Sequence, residues 1–350
     1  GHRLLIVGSG GLASGLAWIS NSTSSDKSPT GSLATIATGD SGFTETPYIS
    51  KVGNELFVGD GVNPNQRFGA ETSYDLEELS AEVGYYAQSA NVFPPCVSFV
   101  VGPDKAVYAT GNAEAPMRVY VSEPANTGNP DSTDAIQGIF SEVLSSTDII
   151  MTGANITTAL STFREYVVCH TDTGVVLLYR ASTGQAITGY RVEQMSSPTT
   201  SGAANPNCAA PSMGITPFFL GADGQIYKDE SARAGLDHTQ GIRAREIATW
   251  KGVGSWDRLT DASVEGAFTV FEPNTGFFVP FIPTLENGNG HPAYYFSTST
   301  TQIAGPVLYP RFSAVTRIDG TGKLLGIDRD GKFWVTDLDD LRESRKLASG

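Results

Sequence analysis

A strand, a tight polar turn carrying glycine and a second strand recur along this chain at intervals of roughly fifty residues. The turns include Phe57-Val58-Gly59-Asp60-Gly61, Val107-Tyr108-Ala109-Thr110-Gly111, His170-Thr171-Asp172-Thr173-Gly174, Gly221-Ala222-Asp223-Gly224, Pro273-Asn274-Thr275-Gly276 and Asp328-Arg329-Asp330-Gly331, with Gly10 of Val7-Gly8-Ser9-Gly10-Gly11 one period earlier. A glycine after Asp or Thr supplies the positive φ of a hairpin turn whose twist matches its strands. Hairpins at this spacing are the sequence form of propeller blades, since each four-stranded blade needs neighbours to bury its faces. The expected fold is all-β: an antiparallel β-propeller of about six or seven four-stranded blades. A long β-sandwich or two small β domains is the competing reading; the number of repeated turns in 350 residues favours the propeller.

No linker or charge run divides the chain beyond the Ser-rich stretch Ser20 to Ser32, so one propeller domain over residues 1–337 is expected, followed by a charged C-terminal arm over 338–350. With 40% hydrophobic residues, 39 Gly and 19 Pro, the chain has core enough to fold and turn residues enough for many short strands. Only Tyr74 to Ala87 and the tail from Leu338 to Lys346 offer amphipathic helical patterns. No run reaches the roughly 18 apolar residues of a membrane-spanning helix, so a soluble protein or a component of a soluble particle, with no membrane insertion, is expected.

Cys96, Cys169 and Cys208 are odd in number and unrelated in spacing, which favours buried free thiols in a protein folded in a reducing cytoplasm. The chain opens Gly1-His2 without an initiator methionine, as a tag remnant, a processed product or an excerpt would. Its 23 basic and 37 acidic residues give a net charge of -14. A protein that grips nucleic acid through phosphates concentrates Lys and Arg instead. Such acidity fits either simple solubility or a wall past which a duplex slides without sticking.

Several stretches imitate enzyme motifs. Leu4-Leu5-Ile6-Val7-Gly8-Ser9-Gly10-Gly11-Leu12-Ala13 has the opening of a dinucleotide-binding fold, but a polar loop follows it in place of a βαβ pattern, so a first-blade hairpin is the preferred reading. Asp172-Thr173-Gly174 and Asp330-Gly331-Lys332-Phe333-Trp334 resemble the Asp-box turns of sialidase propellers without their full spacing; these aspartates are expected to brace their own turns. His2, His170, His238 and His291 are scattered, and Asp339-Asp340 and Glu77-Glu78 lie in polar stretches. The sequence assigns no catalytic, cofactor-binding or metal-ligating residue and no cofactor, and the chain is read as a non-enzyme. A carbohydrate- or receptor-binding propeller is an alternative, with Trp250, Trp256, Tyr294 and Tyr295 at a channel mouth and Asn287 to Tyr295 as the exposed loop; a glycan-acting hydrolase would need convergent carboxylates there.

The wording of the hairpins carries a resemblance. Met117-Arg118-Val119-Tyr120-Val121-Ser122-Glu123-Pro124-Ala125 resembles a phrase of the β-propellers of phage tail nozzle and tail hub proteins, a strand with Arg-Val-Tyr that ends in Ser-Glu-Pro-Gly; Ala125 stands at the usual Gly. Three segments agree in order: Asn54 to Gly61 with Asn63 to Arg67, Phe163 to Tyr179, and Asn207 to Met213 with Pro217 to Tyr227. The resemblance spans about half the chain, from Asn54 to Lys228. It implies a virion structural protein of the tail, assembled in the host cytoplasm, forming a homo-oligomeric ring (hexameric as first choice) around the DNA conduit. Its partners would be the portal, the adaptor and other tail proteins, with viral DNA passing through unread. Under that reading Arg118 braces its own blade, Tyr108 and Tyr120 pack between blades, and Leu4 to Val7 close the ring of blades against Ala314 to Arg317, Leu324 to Asp328 and Lys332 to Thr336. The tail from Asp337, with Asp339, Asp340, Arg342, Glu343, Arg345 and Lys346, then leaves as the charged arm.

Overall fold

The computed structural model describes residues 3–6, 17–20, 33–35, 43–53, 55–68, 76–78, 94–104, 106–122, 140–141, 156–163, 166–183, 186–194, 201–209, 218–229, 244–248, 264, 266–272, 276–283, 286, 290–297, 303–317, 323–330, 332–337 and 344–346. Alternation of apolar and polar residues between turn signals predicts strands here, and strands are what these residues form: seven sheets among the described residues, with every strand pair antiparallel. The chain divides into two compact units, Gly1–Gln194 and Met195–Gly350.

The first unit holds four meander sheets. They are β1 (Arg3–Ile6), β2 (Ala17–Ser20) and β3 (Leu33–Thr35); β4 (Tyr48–Val52), β5 (Glu55–Gly59), β6 (Gln66–Phe68) and β7 (Leu76–Glu78); β8 (Ser98–Val101), β9 (Val107–Thr110), β10 (Val119–Ser122) and β11 (Phe140–Ser141); and β12 (Thr157–Phe163), β13 (Tyr166–Thr171), β14 (Gly174–Thr183) and β15 (Ala186–Gln194). The first strands β4, β8 and β12 lie side by side. Phe99 N–H donates to Ser50 Oγ at 3.1 Å and Leu160 N–H donates to Ser98 Oγ at 3.0 Å, so each first strand is pinned to the next. Apolar faces meet between the sheets. Val52, Phe57, Cys96, Phe99, Val107, Ala109 and Tyr120 form one core, and Ala106, Tyr108, Val119, Leu160, Val167, Cys169, Val176 and Leu178 the next. Tyr120 thus packs toward the β4–β7 sheet and Tyr108 toward the β12–β15 sheet, as expected of large aromatics between blades.

The second unit holds β16 (Phe218–Leu220), β17 (Ile226–Asp229) and β18 (Ala244–Ala248); β19 (Phe268–Glu272), β20 (Phe277–Phe281), β21 (His291–Ser297) and β22 (Ile303–Tyr309); and β23 (Phe312–Arg317), β24 (Lys323–Asp328), β25 (Phe333–Asp337) and β26 (Ser344–Lys346). Residues 201–209 run along β16 through bridges Ala203↔Gly221 and Ala209↔Phe219, and take the place of a first strand interrupted by the 3-10 turn Pro206–Cys208. This segment is fastened to the lead-in and start of β19: Asn205 Nδ2 donates to Ala267 O at 2.9 Å and Thr269 Oγ1 donates to Asn207 O at 3.0 Å. One aromatic core joins the last two sheets, with Phe268, Phe281, Tyr295, Tyr309 and Phe312.

The turns follow the sequence in most places. Gly61, Gly111, Gly224 and Gly276 have positive φ. At Gly61 (φ +81°) a Cβ would stand 2.5 Å from the carbonyl oxygen of Gly111, so both conformation and space require glycine. Gly174 departs from the expectation: it opens β14 opposite Thr171, and Asp172 and Thr173 make the turn. Gly10 and Gly331 lie outside the described residues.

Four further expectations meet the structure. β1 pairs antiparallel with β2 (Leu5↔Trp18), the first hairpin preferred over a βαβ unit. The anticipated closure of Leu4 to Val7 on the last sheet is corrected, for β1 lies in a sheet with β2 and β3, and the last sheet draws its fourth strand from its own end. That strand, Ser344–Lys346, falls within the arm expected over 338–350 and pairs with β25 through Trp334↔Lys346 and Thr336↔Ser344; the rest of 338–350 lies outside the described residues. Within Tyr74 to Ala87, read as a helical pattern, Leu76–Glu78 forms β7, a three-residue edge strand carrying Glu77 and Glu78 and paired to β6.

Candidate functional site

Three hairpin turns carry the same clasp. In Gly102-Pro103-Asp104-Lys105-Ala106-Val107-Tyr108 the Gly102 N–H donates to Ala106 O at 2.8 Å, Asp104 Oδ1 accepts from Ala106 N–H, and Asp104 Oδ2 accepts from the Tyr108 hydroxyl at 3.0 Å. Gly221-Ala222-Asp223-Gly224-Gln225-Ile226-Tyr227 repeats it, with Gly221 N–H on Gln225 O, Gln225 N–H on Asp223 Oδ1 and the Tyr227 hydroxyl on Asp223 Oδ2. Both tyrosine rings lie over the glycine, where a Cβ would come within 2.5 Å of the Tyr108 ring and 2.7 Å of the Tyr227 ring. In the last sheet the carboxylate has moved two residues earlier. Asp328 accepts from Asp330 N–H at 2.9 Å, Lys332 N–H at 2.8 Å and Trp334 Nε1–H at 2.8 Å. The bracing role expected of Asp330 therefore belongs to Asp328, and Asp330 makes a long 3.5 Å ion pair with Lys332. Burial pushes the Asp328 carboxyl up, but the bonds from Trp334, Lys332 and Asp330 outweigh it and hold its pKa below the ordinary value.

The next chemistry-bearing groups join segments. Asp60 accepts from Val62 and Asn63 N–H on one oxygen and from Thr44 N–H, Glu45 N–H and Asn63 Nδ2 on the other, at 2.7–3.2 Å. Burial raises its pKa, the bonds from Asn63, Val62 and Glu45 lower it further, and the net shift is downward. Asn65 reaches Pro94 O and Cys96 N–H, and Asn112 reaches Pro95 O and the N–H groups of Glu114 and Ala115, so the turns at the ends of β5 and β9 are bound to the lead-in of β8. Thr110 Oγ1 donates to the carbonyl of Arg118, so the backbone of Arg118 takes part in bracing its sheet. Asp172 accepts from Ile156 N–H at 3.3 Å, and Thr171 Oγ1 accepts from Thr173 N–H within the turn. Glu55 and Arg67 form a buried pair, N···O 4.0 Å, between β5 and β6.

Both described histidines are structural in their surroundings. His170 is 2% exposed with Nε2 3.2 Å from Ser161 Oγ, and burial pushes its pKa down to about 3. His291 accepts from Ile282 N–H at 2.8 Å through Nε2 and closes the base of the loop between β20 and β21. Burial, with Arg329 nearby, brings it down to about 4 against the opposing hydrogen bond. Glu286 of that loop pairs with Arg329 at 3.0 Å. Cys96, Cys169 and Cys208 are free and buried, as expected; burial raises each thiol, Cys169 and Cys208 to about 12. Among the described residues no group of His, Cys, Asp and Glu has metal-site geometry, and no helix is long and apolar enough to cross a membrane.

The aromatic mouth expected of a binding propeller is corrected in part: Tyr294 and Tyr295 are buried at 6% and 0%, Tyr295 inside the aromatic core of the second unit, because β21 runs through the middle of its sheet. Trp250, Trp256, His238 and Asn287 to Asn289 lie outside the described residues, as do His2, Asp339 and Asp340. Glu77 and Glu78 lie on β7, opposite Arg67 and Gln66. Sequence reading missed the Ser50, Ser98, Asn65, Asn112 and Asn205 fastenings; each asparagine lies in a turn or loop between strands, Asn205 as the cap of the 3-10 turn Pro206–Cys208, a signal shared with ordinary turn residues.

No family model matches this chain, and no functionally characterised protein matches its sequence. Its fold is similar to those of solved proteins. A candidate 6-phosphogluconolactonase from Bacteroides fragilis NCTC 9343 superimposes with a TM-score of 0.58 at 9% identity, over 99% of this chain and 93% of that one. One from Bacteroides uniformis ATCC 8492 gives 0.56 at 10% identity, over 99% and 95%. Chaetomium thermophilum Sqt1, bound to the N-terminus of the ribosomal protein L10, gives 0.51 at 12% identity, over 86% and 74%. These likenesses place the chain among propeller-like all-β folds.

Proposed function

We propose that this chain is a virion structural protein, a ring-forming propeller of a phage tail nozzle, hub or head-tail connector, in which the sheets are the blades, about six or seven, of a single propeller domain. The observation that carries the reading is where the polar chemistry goes. Ser50, Ser98, Asn65, Asn112, Asn205 and Thr269 tie one sheet or lead-in segment to another, and Asp60, Asp104, Asp223 and Asp328 tie turns. A wall that carries load and passes DNA needs stiff blades and a surface of like charge to the duplex, and the net charge of -14 supplies the second. The ring is a hexamer in this reading. It docks on the portal or adaptor above and carries the next tail component below, it is assembled in the host cytoplasm, and it works by geometry without a catalytic step. Cryo-electron microscopy of particles from the source, with symmetry left free below the portal vertex, tests it: propeller density around the DNA path is expected, and absence of the protein from every particle would overturn it.

A second reading rests on the full-length likeness to the candidate 6-phosphogluconolactonases. In it the chain hydrolyses a sugar lactone. Turnover of 6-phosphogluconolactone by the purified protein above the spontaneous rate would favour that reading over the structural one. Glycan binding without turnover would favour the carbohydrate- or receptor-binding alternative.

A further inference from the structure

The outermost strands of the sheets are unequal. β7, β11, β18 and β26 run from two to five residues, and β22 runs seven with Pro306 inside it. Short length and proline are the ordinary ways a sheet edge is kept from pairing with another chain. β15 has neither: nine residues, Ala186-Ile187-Thr188-Gly189-Tyr190-Arg191-Val192-Glu193-Gln194, without proline. Its ladder also outruns the sheet. The β13–β14 register ends at Val167↔Leu178, while β14–β15 continues from Tyr179↔Arg191 to Thr183↔Ala186, so the far half is a two-stranded ribbon. Ribbons of two strands are marginal in water by themselves.

Among the described residues no strand pairs with the outer side of β15, and the direction of its backbone groups follows from the register. Thr171 and Gly174 face each other across the two-residue turn between β13 and β14, which makes them a hydrogen-bonded pair. Alternation then turns the groups of Val176 and Leu178 toward β13 and those of Leu177 and Tyr179 toward β15. Since Leu177 faces Glu193 and Tyr179 faces Arg191, the N–H and C=O of Arg191 and Glu193 are engaged inward. Those of Tyr190, Val192 and Gln194 point out from the edge.

We propose that this edge is an augmentation site for a second copy of the chain, β15 pairing antiparallel with its counterpart about a two-fold axis at Val192. In that register Val192 faces Val192 and Tyr190 faces Gln194, the outward groups exchange hydrogen bonds, and Arg191 of each copy stands opposite Glu193 of the other at the closely spaced positions. Opposite charges directly across a ladder stabilise it and like charges there weaken it, so the reciprocal pair selects this register over its neighbours. The occupant is a strand because the groups that meet no other strand among the described residues are those of a strand, and a second copy because the charge pattern is its own complement. A two-fold contact joins copies in pairs and is separate from the head-to-tail contacts that would close a ring.

Sedimentation of the full chain over a concentration series tests it. The wild-type protein is expected to associate in pairs. Val192→Pro removes an outward N–H that β14 does not use, and should raise the dissociation constant at least tenfold with the circular dichroism spectrum and Tm unchanged. Glu193→Arg should weaken association, and Arg191→Glu combined with Glu193→Arg should restore it, a readout that stands even if the proline variant does not fold. A wild-type protein monomeric throughout, or association indifferent to Val192→Pro or to both charge changes, overturns the proposal. Because the ring contacts are separate, a ring that persists in Val192→Pro while pairing of copies is lost supports this contact, and a ring in which pairing persists as well overturns it and leaves the ring reading standing.

Discussion

The two units join neighbouring sheets by different means. In the first unit one junction is largely aliphatic, Val119, Leu160, Val167, Val176 and Leu178 with Tyr108, the other mixes Val52 and Val107 with Phe57, Phe99 and Tyr120, and the first strands are held by single hydroxyls, Ser50 to Phe99 and Ser98 to Leu160. In the second unit the junction is aromatic. Phe281 has ring neighbours Phe268 at 5.1 Å, His291 at 5.3 Å, Tyr309 at 5.7 Å and Phe312 at 5.8 Å. The lesson is that one architecture tolerates either solution, but with different failure modes: many small independent contributions in the first, one shared centre in the second.

Phe281→Ala tests that centre and has the largest expected effect. Removing a fully buried ring costs about 3–5 kcal/mol through lost transfer energy and the cavity left behind. Urea unfolding should therefore show the second unit melting ahead of the first. Leu178→Ala, equally buried in the first unit, is expected at the lower end of the roughly 2–5 kcal/mol range for such truncations, because its neighbours are smaller and branched. Equal costs at the two sites would remove the distinction.

Asp60→Asn comes next. The first-unit turn depends on a carboxylate that accepts five hydrogen bonds, and an amide retains acceptors on one oxygen only. The loss is expected at about 1.5–3 kcal/mol, as for bonds to a charged group. The folded pKa is depressed, so this stability is fully present above the unfolded value of 3.8 and disappears as pH falls through the folded one. An Asp60→Asn variant should consequently lose less stability on acidification than the wild-type protein, as measured by Tm between pH 5 and the acid limit.

How much of this was legible follows from the same residues. The repeat of turns exposed the strands, and the placement of Tyr108 and Tyr120 between sheets followed from alternation along two short strands. The clasps were half visible: Asp-x-x-x-Tyr reads from the sequence, but in the last sheet the same spacing points to Asp330, whereas Asp328 takes the bonds from Asp330 N–H, Lys332 N–H and Trp334 Nε1. Tyr294 and Tyr295 were misread as exposed because adjacent tyrosines beside an Asn-Gly loop look like a binding surface. In a central strand both faces are covered, so alternation no longer separates inside from outside. The pairing of Ser344-Arg345-Lys346 was hidden for the opposite reason, since three polar residues do not announce a strand, and this one pairs along the edge of β25.

The two described histidines offer a gentler comparison. His170 in the first unit and His291 in the second are both buried and neutral, with pKa values of about 3 and about 4 against 6.5 when unfolded. Above pH 6.5 neither state binds the proton and neither histidine affects stability. Below it the unfolded chain takes up protons that the folded chain refuses, so stability falls as pH drops from 6.5 toward 4, by up to about 1.4 kcal/mol per pH unit for each histidine. His291→Gln should flatten the profile of the second-unit transition alone and His170→Gln that of the first. If either variant flattened both transitions, the units would unfold as one.

The smallest expected effect belongs to the serine pins. Ser98→Ala removes the acceptor of Leu160 N–H while leaving the strands packed, and a single neutral hydrogen bond is worth about 0.5–1.5 kcal/mol. Ser50→Ala removes the corresponding acceptor of Phe99 N–H one junction earlier. Because the two pins act at successive junctions between different pairs of first strands, their costs should add within a few tenths of a kcal/mol in the double variant. A double variant that loses much more than the sum would mean that the first strands act as one laced element, and would make the first unit resemble the second in depending on a shared centre.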